Sequence, residues 1–207
     1  MVRYQLETRG ISDPRVLEVM RSVQRDRFVT EELREVAYED RPLPIGHGQT
    51  ISQPYIVALM SELAATSGTG RALDVGTGSG YQAAVLAELV DEVYTIEFIP
   101  ELAEQAGERL QSCKNVHTRC GDGREGWPEA APFDVIIAAC AARKIPEALI
   151  EQLAPGGKLI IPTGSTFQEL VLVEKDAEGE IHQSSHGGVA FVPMVRGKRA
   201  AKRRERD

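Results

Sequence analysis

The run Arg71-Ala-Leu-Asp-Val-Gly-Thr-Gly-Ser-Gly80 constrains this chain more than any other stretch, because a short apolar segment leads straight into three glycines at alternate positions. Such a segment reads as a strand that opens into a tight loop. Gly76, Gly78 and Gly80 can adopt positive φ and let bare backbone approach a ligand, and Tyr81-Gln-Ala-Ala-Val-Leu-Ala-Glu-Leu89 then has helical composition. Strand, glycine loop and helix in that order make a nucleoside-binding element. The Gly-x-Gly-x-Gly spacing departs from the Gly-x-Gly-x-x-Gly of dinucleotide dehydrogenases, and Asp74 stands at the strand end, where a carboxylate attracts a cation. Both details favour S-adenosyl-L-methionine over NAD as the cofactor.

From Arg71 onward, short apolar runs alternate with amphipathic segments. Strands are expected at Ala72–Val75, Glu92–Glu97, Val116–Arg119, Phe133–Ala139 and Lys158–Pro162, with helices over Gln82–Val90, Pro100–Gln111 and Pro146–Leu153 between them. Two further strands, Glu169–Val173 and Val189–Val195, flank the turn-rich Asp176-Ala-Glu-Gly-Glu180 and predict an antiparallel ending. The pattern implies an α/β fold with a doubly wound, mostly parallel seven-stranded sheet. Upstream, Ser12-Asp13-Pro14 starts a helix whose Val16, Val19, Met20 and Val23 share a face, and Thr30 caps a second, short helix. These form an N-terminal helical cover. Pro42, Pro44, Gly46 and Gly48 mark residues 40–53 as a loop, and Pro54 begins an apolar helix. The expected organisation is one domain over residues 1–195, with helices and substrate loop in 1–66, the α/β core in 67–195 and a basic, disordered tail in 196–207.

A chain of 207 residues with 42% hydrophobic content can bury one substantial core. No apolar stretch reaches the roughly 18 to 20 residues that span a bilayer, and the N-terminus lacks the apolar centre of a signal peptide, so a cytoplasmic, membrane-free protein is expected. Cys113, Cys120 and Cys140 show no Cys-x-x-Cys pairing and read as reduced thiols. The net charge of −7 divides unevenly: residues 196–207 carry seven basic and two acidic side chains, a net +5, which leaves −12 elsewhere. A basic tail can serve as a nucleic-acid arm, but no aromatics interleave its charges to stack on bases, so no nucleic-acid partner is expected. His182 and His186 have no third ligand near them in sequence, and no metal site is assigned to them.

In a doubly wound sheet the ligand lies across the carboxyl ends of the strands. Three sites fall there in register. The glycine loop, with Asp74, Gly76, Thr77, Gly78 and Gly80, offers amides and close approach to the methionine and ribose parts of the cofactor. Glu97, at the end of the second strand, can accept both ribose hydroxyls, and Asp122 in the Gly121-Asp-Gly123 turn can accept the adenine amino group. Acidic residues also end strands and begin turns for ordinary reasons, and it is the joint placement of these that points to a cofactor.

This order of sites resembles the class I S-adenosylmethionine-dependent methyltransferases, and Leu153-Ala-Pro-Gly-Gly-Lys-Leu-Ile-Ile-Pro162 looks like the helix-to-strand turn that follows the site in that class. Further upstream, Tyr38-Glu-Asp-Arg-Pro-Leu-Pro-Ile-Gly-His-Gly-Gln-Thr-Ile-Ser-Gln-Pro54 is very similar to the signature of the protein-L-isoaspartate O-methyltransferases, with its Gly-x-Gly-Gln-Thr-Ile-Ser-x-Pro core intact. The resemblance extends over nearly the whole chain and includes Phe191-Val-Pro-Met194. Arg143 and Lys144 depart from it, standing where a less basic segment is usual, as does the basic tail.

The resemblance implies methyl transfer from S-adenosyl-L-methionine, leaving S-adenosyl-L-homocysteine, to the free carboxylate of L-isoaspartyl residues, with D-aspartyl residues as a second class, in damaged peptides and proteins. It assigns Ser52 to donate to the substrate carboxylate, with Thr50 and Ile51 beside it. It also places the substrate backbone along Gly187–Phe191, which includes Val189, Ala190 and Phe191. A bare capping role for Ser52 and a plain strand at Gly187–Phe191 stay open alternatives, Asp40 is taken to order the loop, and His47 is read as a loop hydrogen-bonding residue rather than a base. A monomer is expected. A small-molecule methyltransferase of the same fold is the first rival. A nucleic-acid methyltransferase is disfavoured because Ala138-Ala-Cys-Ala-Ala142 stands where an Asn-Pro-Pro-aromatic segment would be. A cofactor-binding regulatory module without turnover is the rival from outside enzymology.

Overall fold

The computed structural model describes residues 1–64 and 70–195, so the basic tail expected at 196–207 lies outside the described residues. Helix α1 (Pro14–Ser22) starts as its sequence dictates: Pro14 occupies the first turn, and the Asp13 carboxylate accepts from the backbone amides of Arg15 at 2.8 Å and Val16 at 3.3 Å. A cap of this kind is worth about 1 kcal/mol. Val16, Leu17, Val19 and Met20 are buried on its inner face. Glu62, on α2 (Pro54–Ala64), accepts from the amides of Ser12 and Asp13 at 2.6 Å each, which ties the two cover helices together. The segment after Thr30 is a 3-10 turn, Glu31–Val36, rather than an α-helix, and Thr30 makes no side-chain cap. A π-helical turn at Val2–Leu6 buries Val2 and Leu6 and completes the cover.

Residues 40–53, expected as a loop, contain a small antiparallel hairpin of β1 (Leu43–Gly46) and β2 (Gln49–Ile51). His47 at φ 52° and Gly48 at φ 70° take its two central turn positions, and the two-residue primed turns that match strand twist require this left-handed backbone. Leu43, Ile45 and Ile51 point into the core.

The main sheet has the strand order β5-β4-β3-β6-β7-β8-β9. Its members are β3 (Arg71–Val75), β4 (Glu92–Glu97), β5 (Val116–Cys120), β6 (Phe133–Ala138), β7 (Leu153–Gly164), β8 (Gln168–Lys175) and β9 (Ile181–Val189). The pairs β3–β4, β4–β5, β3–β6 and β6–β7 are parallel, whereas β7–β8 and β8–β9 are antiparallel. This is the seven-stranded, mostly parallel sheet that the pattern predicts. Helices α3 (Tyr81–Ala87), α4 (Pro100–Arg109) and α5 (Glu147–Glu151) form the crossovers. Apart from Arg71, Asp74 and Asp134, the residues of β3 and β6 are apolar and buried on both faces, as a sheet covered on both sides demands. One face packs against α1, α2 and α3, the other around Phe133, Leu149 and Leu153.

The last strand departs from expectation. It runs over Ile181–Val189, and the apolar residues 190–195 lie beyond it, where Pro193 makes an isolated bridge to Ala141 in the segment after β6. The β9 residues from Ile181 to Gly188 are exposed and mostly polar, so no hydrophobic alternation announces them. Among the described residues, no helix is long and apolar enough to cross a membrane.

One polar chain runs inside the sheet. Thr95 on β4 donates to Asp74 Oδ2 on β3 at 2.8 Å, and the Thr95 and Thr77 hydroxyls lie 2.6 Å apart. Asp74 is fully buried and its Oδ1 has no partner among the described residues. Burial pushes its carboxyl up to about 7, the Thr95 hydrogen bond opposes this, and the Glu97 charge adds to it. The folded protein therefore holds a proton that the unfolded chain releases near pH 4. The stability owed to this group is complete below about pH 4 and is lost as pH rises to about 7, with a slope of at most about 1.4 kcal/mol per pH unit. The stability difference between the wild type and Asp74→Asn, followed by urea unfolding from pH 4 to 8, is expected to fall over this window and to level off above it.

Candidate functional site

The strand order reverses between β3 and β6, and a doubly wound sheet opens a crevice at such a point, beyond the carboxyl ends of its strands. A cleft of about 770 Å³, partly open to solvent, lies there. Its lining includes Val75 and Gly76 at the end of β3 and Ala139 and Cys140 at the end of β6. The Ala139 amide donates to the Val75 carbonyl at 2.8 Å and holds the two strand ends together.

The glycine loop forms one wall, with Gly76 at φ 91°, Gly78 at 52° and Gly80 at 92°. Four of its amides are taken by the protein itself. Those of Gly76 and Thr77 donate to the Ile96 carbonyl at 2.8 and 3.2 Å, that of Gly80 to the Thr77 carbonyl at 2.8 Å, and that of Gly78 to Glu97 Oε2 at 2.8 Å. The loop thus spends these four donors on its own shape and offers a ligand close approach. Glu97, 6% exposed, lines the cleft and also accepts from the Ile99 amide through Oε1 at 2.9 Å. A carboxylate has about four acceptor sites, so two remain for a ribose diol. The glycine wall and this acceptor fit a nucleoside.

Gly76, Thr77, Gly78, Glu97 and Gly123 line the cleft, whereas Gly80, Asp74 and Asp122 do not. Gly80 sits behind it as the left-handed residue before α3. Asp74, expected to meet the cofactor's positive charge, is enclosed beneath the loop and reaches the cleft wall only through Thr95 and Thr77. Asp122 caps the 3-10 turn Gly123–Glu125 by accepting from the Arg124 amide at 3.0 Å, and the Arg124 guanidinium grips its carboxylate. Gly123 is demanded by packing, because a Cβ there would come within 2.4 Å of Val75 Cγ1. Cys140 lines the cleft with its thiol pushed up to about 12 by burial and by the charges of Glu97, Asp74 and Asp122. It therefore stays protonated and non-nucleophilic. Phe98, Ile99 and Val192–Val195 also line the cleft, and sequence reasoning misses them in that role; the first two are signalled only by following Glu97.

A second, wider cleft of about 1,730 Å³ adjoins the first. Val189, Ala190 and Phe191 line it together with Arg9, Tyr55 and Gln168. The Gln168 side chain acts as a strand partner there: its Nε2 donates to the Phe191 carbonyl at 3.0 Å and its Oε1 accepts from the Phe191 amide at 2.7 Å. Ser52, Thr50, Ala139 and Val192 line both clefts, while Ile51 lines the first alone. Ser52 lies in the two-residue link between β2 and α2, and its hydroxyl has no hydrogen-bond partner among the described residues. The carbonyl that receives the first α2 amides, those of Ile56 at 3.0 Å and Val57 at 3.2 Å, belongs to Gln53. His47 accepts through its backbone carbonyl from Gln49 Nε2 at 3.4 Å and does not line either cleft.

The chain is similar to known proteins over nearly its whole length. The family model described as protein-L-isoaspartate(D-aspartate) O-methyltransferase matches residues 1–199. Protein-L-isoaspartate O-methyltransferase 2 of Marinobacter nauticus is 56% identical over 199 residues, covering 94% of this chain and 91% of that protein. Protein-L-isoaspartate O-methyltransferase of Opitutus terrae is 53% identical over 202 residues, covering 96% and 86%. A crystal structure from Plasmodium falciparum, described as a protein of this family in complex with S-adenosyl-L-homocysteine, superposes with a TM-score of 0.78 at 29% identity over 91% of this chain and 94% of that one. A glycine-walled crevice at the switch point, the intact motif around Ser52, and likeness at this level over nearly the full length lead to one assignment: the chain belongs to the protein-L-isoaspartate (D-aspartate) O-methyltransferase family.

Proposed function

We propose that this enzyme transfers a methyl group from S-adenosyl-L-methionine to the free carboxylate of L-isoaspartyl residues in damaged peptides and proteins, with Ser52 as the residue that aligns the acceptor. The observation that carries this reading is the position of Ser52 on the shared wall of the two clefts, with its hydroxyl unengaged among the described residues. One cleft is shaped for a nucleoside, the other for an extended peptide, and the serine stands where their contents would meet.

When bound, the cofactor supplies an electrophilic methyl group on a positively charged sulfur. Gly76, Gly78 and Glu97 hold the donor end of the site, with the Glu97 carboxylate taking the ribose hydroxyls. An isoaspartyl carboxylate is already ionised near neutral pH, since such a group ordinarily titrates near pH 4, so the protein needs no general base. Ser52 donates to that carboxylate and directs its remaining lone pair toward the first cleft. Thr50 and Ile51 close the wall beside it. Such alignment, together with removal of water from the charged partners, is a sufficient source of rate, since well-oriented groups gain roughly 7 to 11 kcal/mol.

Gly187 at φ 99° and Gly188 lead into Val189–Phe191, which supports an acceptor read through its backbone and not through particular side chains. Asp122, paired with Arg124, caps the turn that puts Gly123 on the cleft wall, and Asp74 acts through Thr77. The same reading carries a cytoplasmic monomer that needs neither nucleic acid, membrane nor resident metal. One chain builds both clefts, and its tail lacks interleaved aromatics.

The reading is tested by offering the enzyme an isoaspartyl peptide beside its normal aspartyl twin. Base-labile methyl ester is expected on the isomerised peptide alone, and equal labelling of both would refute the substrate. Ser52→Ala is expected to lower transfer about 100-fold while cofactor affinity by calorimetry stays near that of the wild type. Unchanged turnover would remove Ser52 from the mechanism. Glu97→Gln keeps one acceptor oxygen and loses the other. A rise in cofactor Kd of about tenfold is expected, the equivalent of one lost charge-assisted hydrogen bond of about 1.5 kcal/mol.

A further inference from the structure

We propose that Arg9 is the positioning residue of the acceptor site: its guanidinium clasps both ends of the segment that carries Ser52 and so fixes where that hydroxyl stands between the two clefts. The inference rests on the role given to Ser52 above. Three contacts make the clasp. Arg9 Nη1 donates to Asp40 Oδ2 at 2.9 Å, where the chain enters the segment. The Arg9 Cζ lies 3.5 Å from the centroid of the Tyr55 ring, in the first turn of α2, where the chain leaves it. Gln53 Nε2 donates to the Asp40 carbonyl at 3.0 Å and draws the two ends together one residue after Ser52. Arg9, Gln53 and Tyr55 line the acceptor cleft alongside Ser52.

The segment needs such a fixture because Ser52 belongs to neither β2 nor α2. The Arg9 and Asp40 side chains are 42% and 32% exposed, and a pair this exposed contributes at most about 1 kcal/mol to stability. The value of the clasp therefore lies in geometry. A planar guanidinium can stack and pair at once, which a lysine ammonium cannot. A peptide filling the cleft covers Arg9 and Tyr55, excludes water from the pair and strengthens it, so the clasp tightens as the acceptor arrives. Displacement of about 1 Å near reacting atoms costs on the order of 100-fold in rate.

The test uses the full-length enzyme with Arg9→Met, Ser52→Ala and the double variant, reading kcat and KM with an isoaspartyl peptide and Kd for S-adenosyl-L-homocysteine. Arg9→Met is expected to lower kcat by between about tenfold and 100-fold. It should leave the Kd within about twofold and add no further loss to Ser52→Ala. Arg9→Lys should restore only part of the rate, and Asp40→Asn, which keeps the stacking but loses the charge pair, should fall between. Losses that multiply in the double variant would overturn the clasp while leaving Ser52 in place. A change in KM alone would make Arg9 a direct peptide contact, and a parallel loss of homocysteine affinity and melting temperature would make it a general support of the fold; either result overturns the proposal. If Ser52→Ala is itself unimpaired, the role of Ser52 fails first and the clasp falls with it.

Discussion

The site depends above all on one carboxylate that joins two strand ends. Glu97 receives the amides of Gly78 and Ile99, so the loop after β3 and the turn after β4 are fixed to the same pair of oxygens. With the Gly76 and Thr77 amides closed on Ile96 and the Gly80 amide on Thr77, the chain's own hydrogen bonds hold the left-handed glycine conformations. A pre-formed wall spares binding the cost of ordering it. Glu97 also lines the cleft, so in the proposed reading the group that builds the wall also reads what enters. Beneath it, the Asp74–Thr95–Thr77 chain links β3, β4 and the loop where a purely apolar core would leave the Thr77 hydroxyl unsupported.

Little chemistry is then left for side chains to perform, and the structure is consistent with that economy. An ionised acceptor and an activated donor need approach, direction and dryness. The groups that would complicate the reaction are kept quiet: Cys140 borders the first cleft but is held protonated by burial and by surrounding carboxylates, and His47 is spent on a turn. What distinguishes this site from a cofactor pocket in general is the hairpin and the residues after it, which bring a hydroxyl to the junction of two spaces.

The parts legible in the sequence are those governed by burial on both faces and by glycine spacing. Strands β3, β4 and β6 carry apolar runs because helices cover both sides of them, and their limits fall within about a residue of the pattern, well inside the usual uncertainty of element boundaries. The apolar pattern puts the last strand too late because the residues of β9 are exposed, while Val192 and Met194 pack against the core without belonging to a strand. The hairpin is hidden by Pro42, Pro44 and Gly46, and its turn puts histidine where asparagine or glycine is the usual signal. Within the site, the positions of Glu97, Gly123 and Ser52 can be read from the chain, but not the partners of the acidic residues. Whether Asp74 is enclosed and Asp122 is gripped by Arg124 depends on side-chain packing that no spacing rule encodes.

The two clefts also differ in how they are made, and the difference fits what each would hold. The first is built largely around rigid ends of buried parallel strands, which suits one invariant ligand. The second draws on the outer parts of the chain: Arg9, the segment through Leu59, the turn at Thr166–Glu169, and the stretch from His186 to Val192. Its far wall continues from β9, which ends the sheet and presents mostly polar side chains and two glycines along an exposed strand. Side chains of that kind discriminate poorly among sequences, whereas backbone amides and carbonyls pair with any extended peptide. Damage by isomerisation strikes at many sequences, and an enzyme that must meet it gains from specificity concentrated at a single atom group, the misplaced carboxylate. In the proposed reading, the Ser52 hydroxyl between a donor cleft and a permissive acceptor cleft achieves that separation.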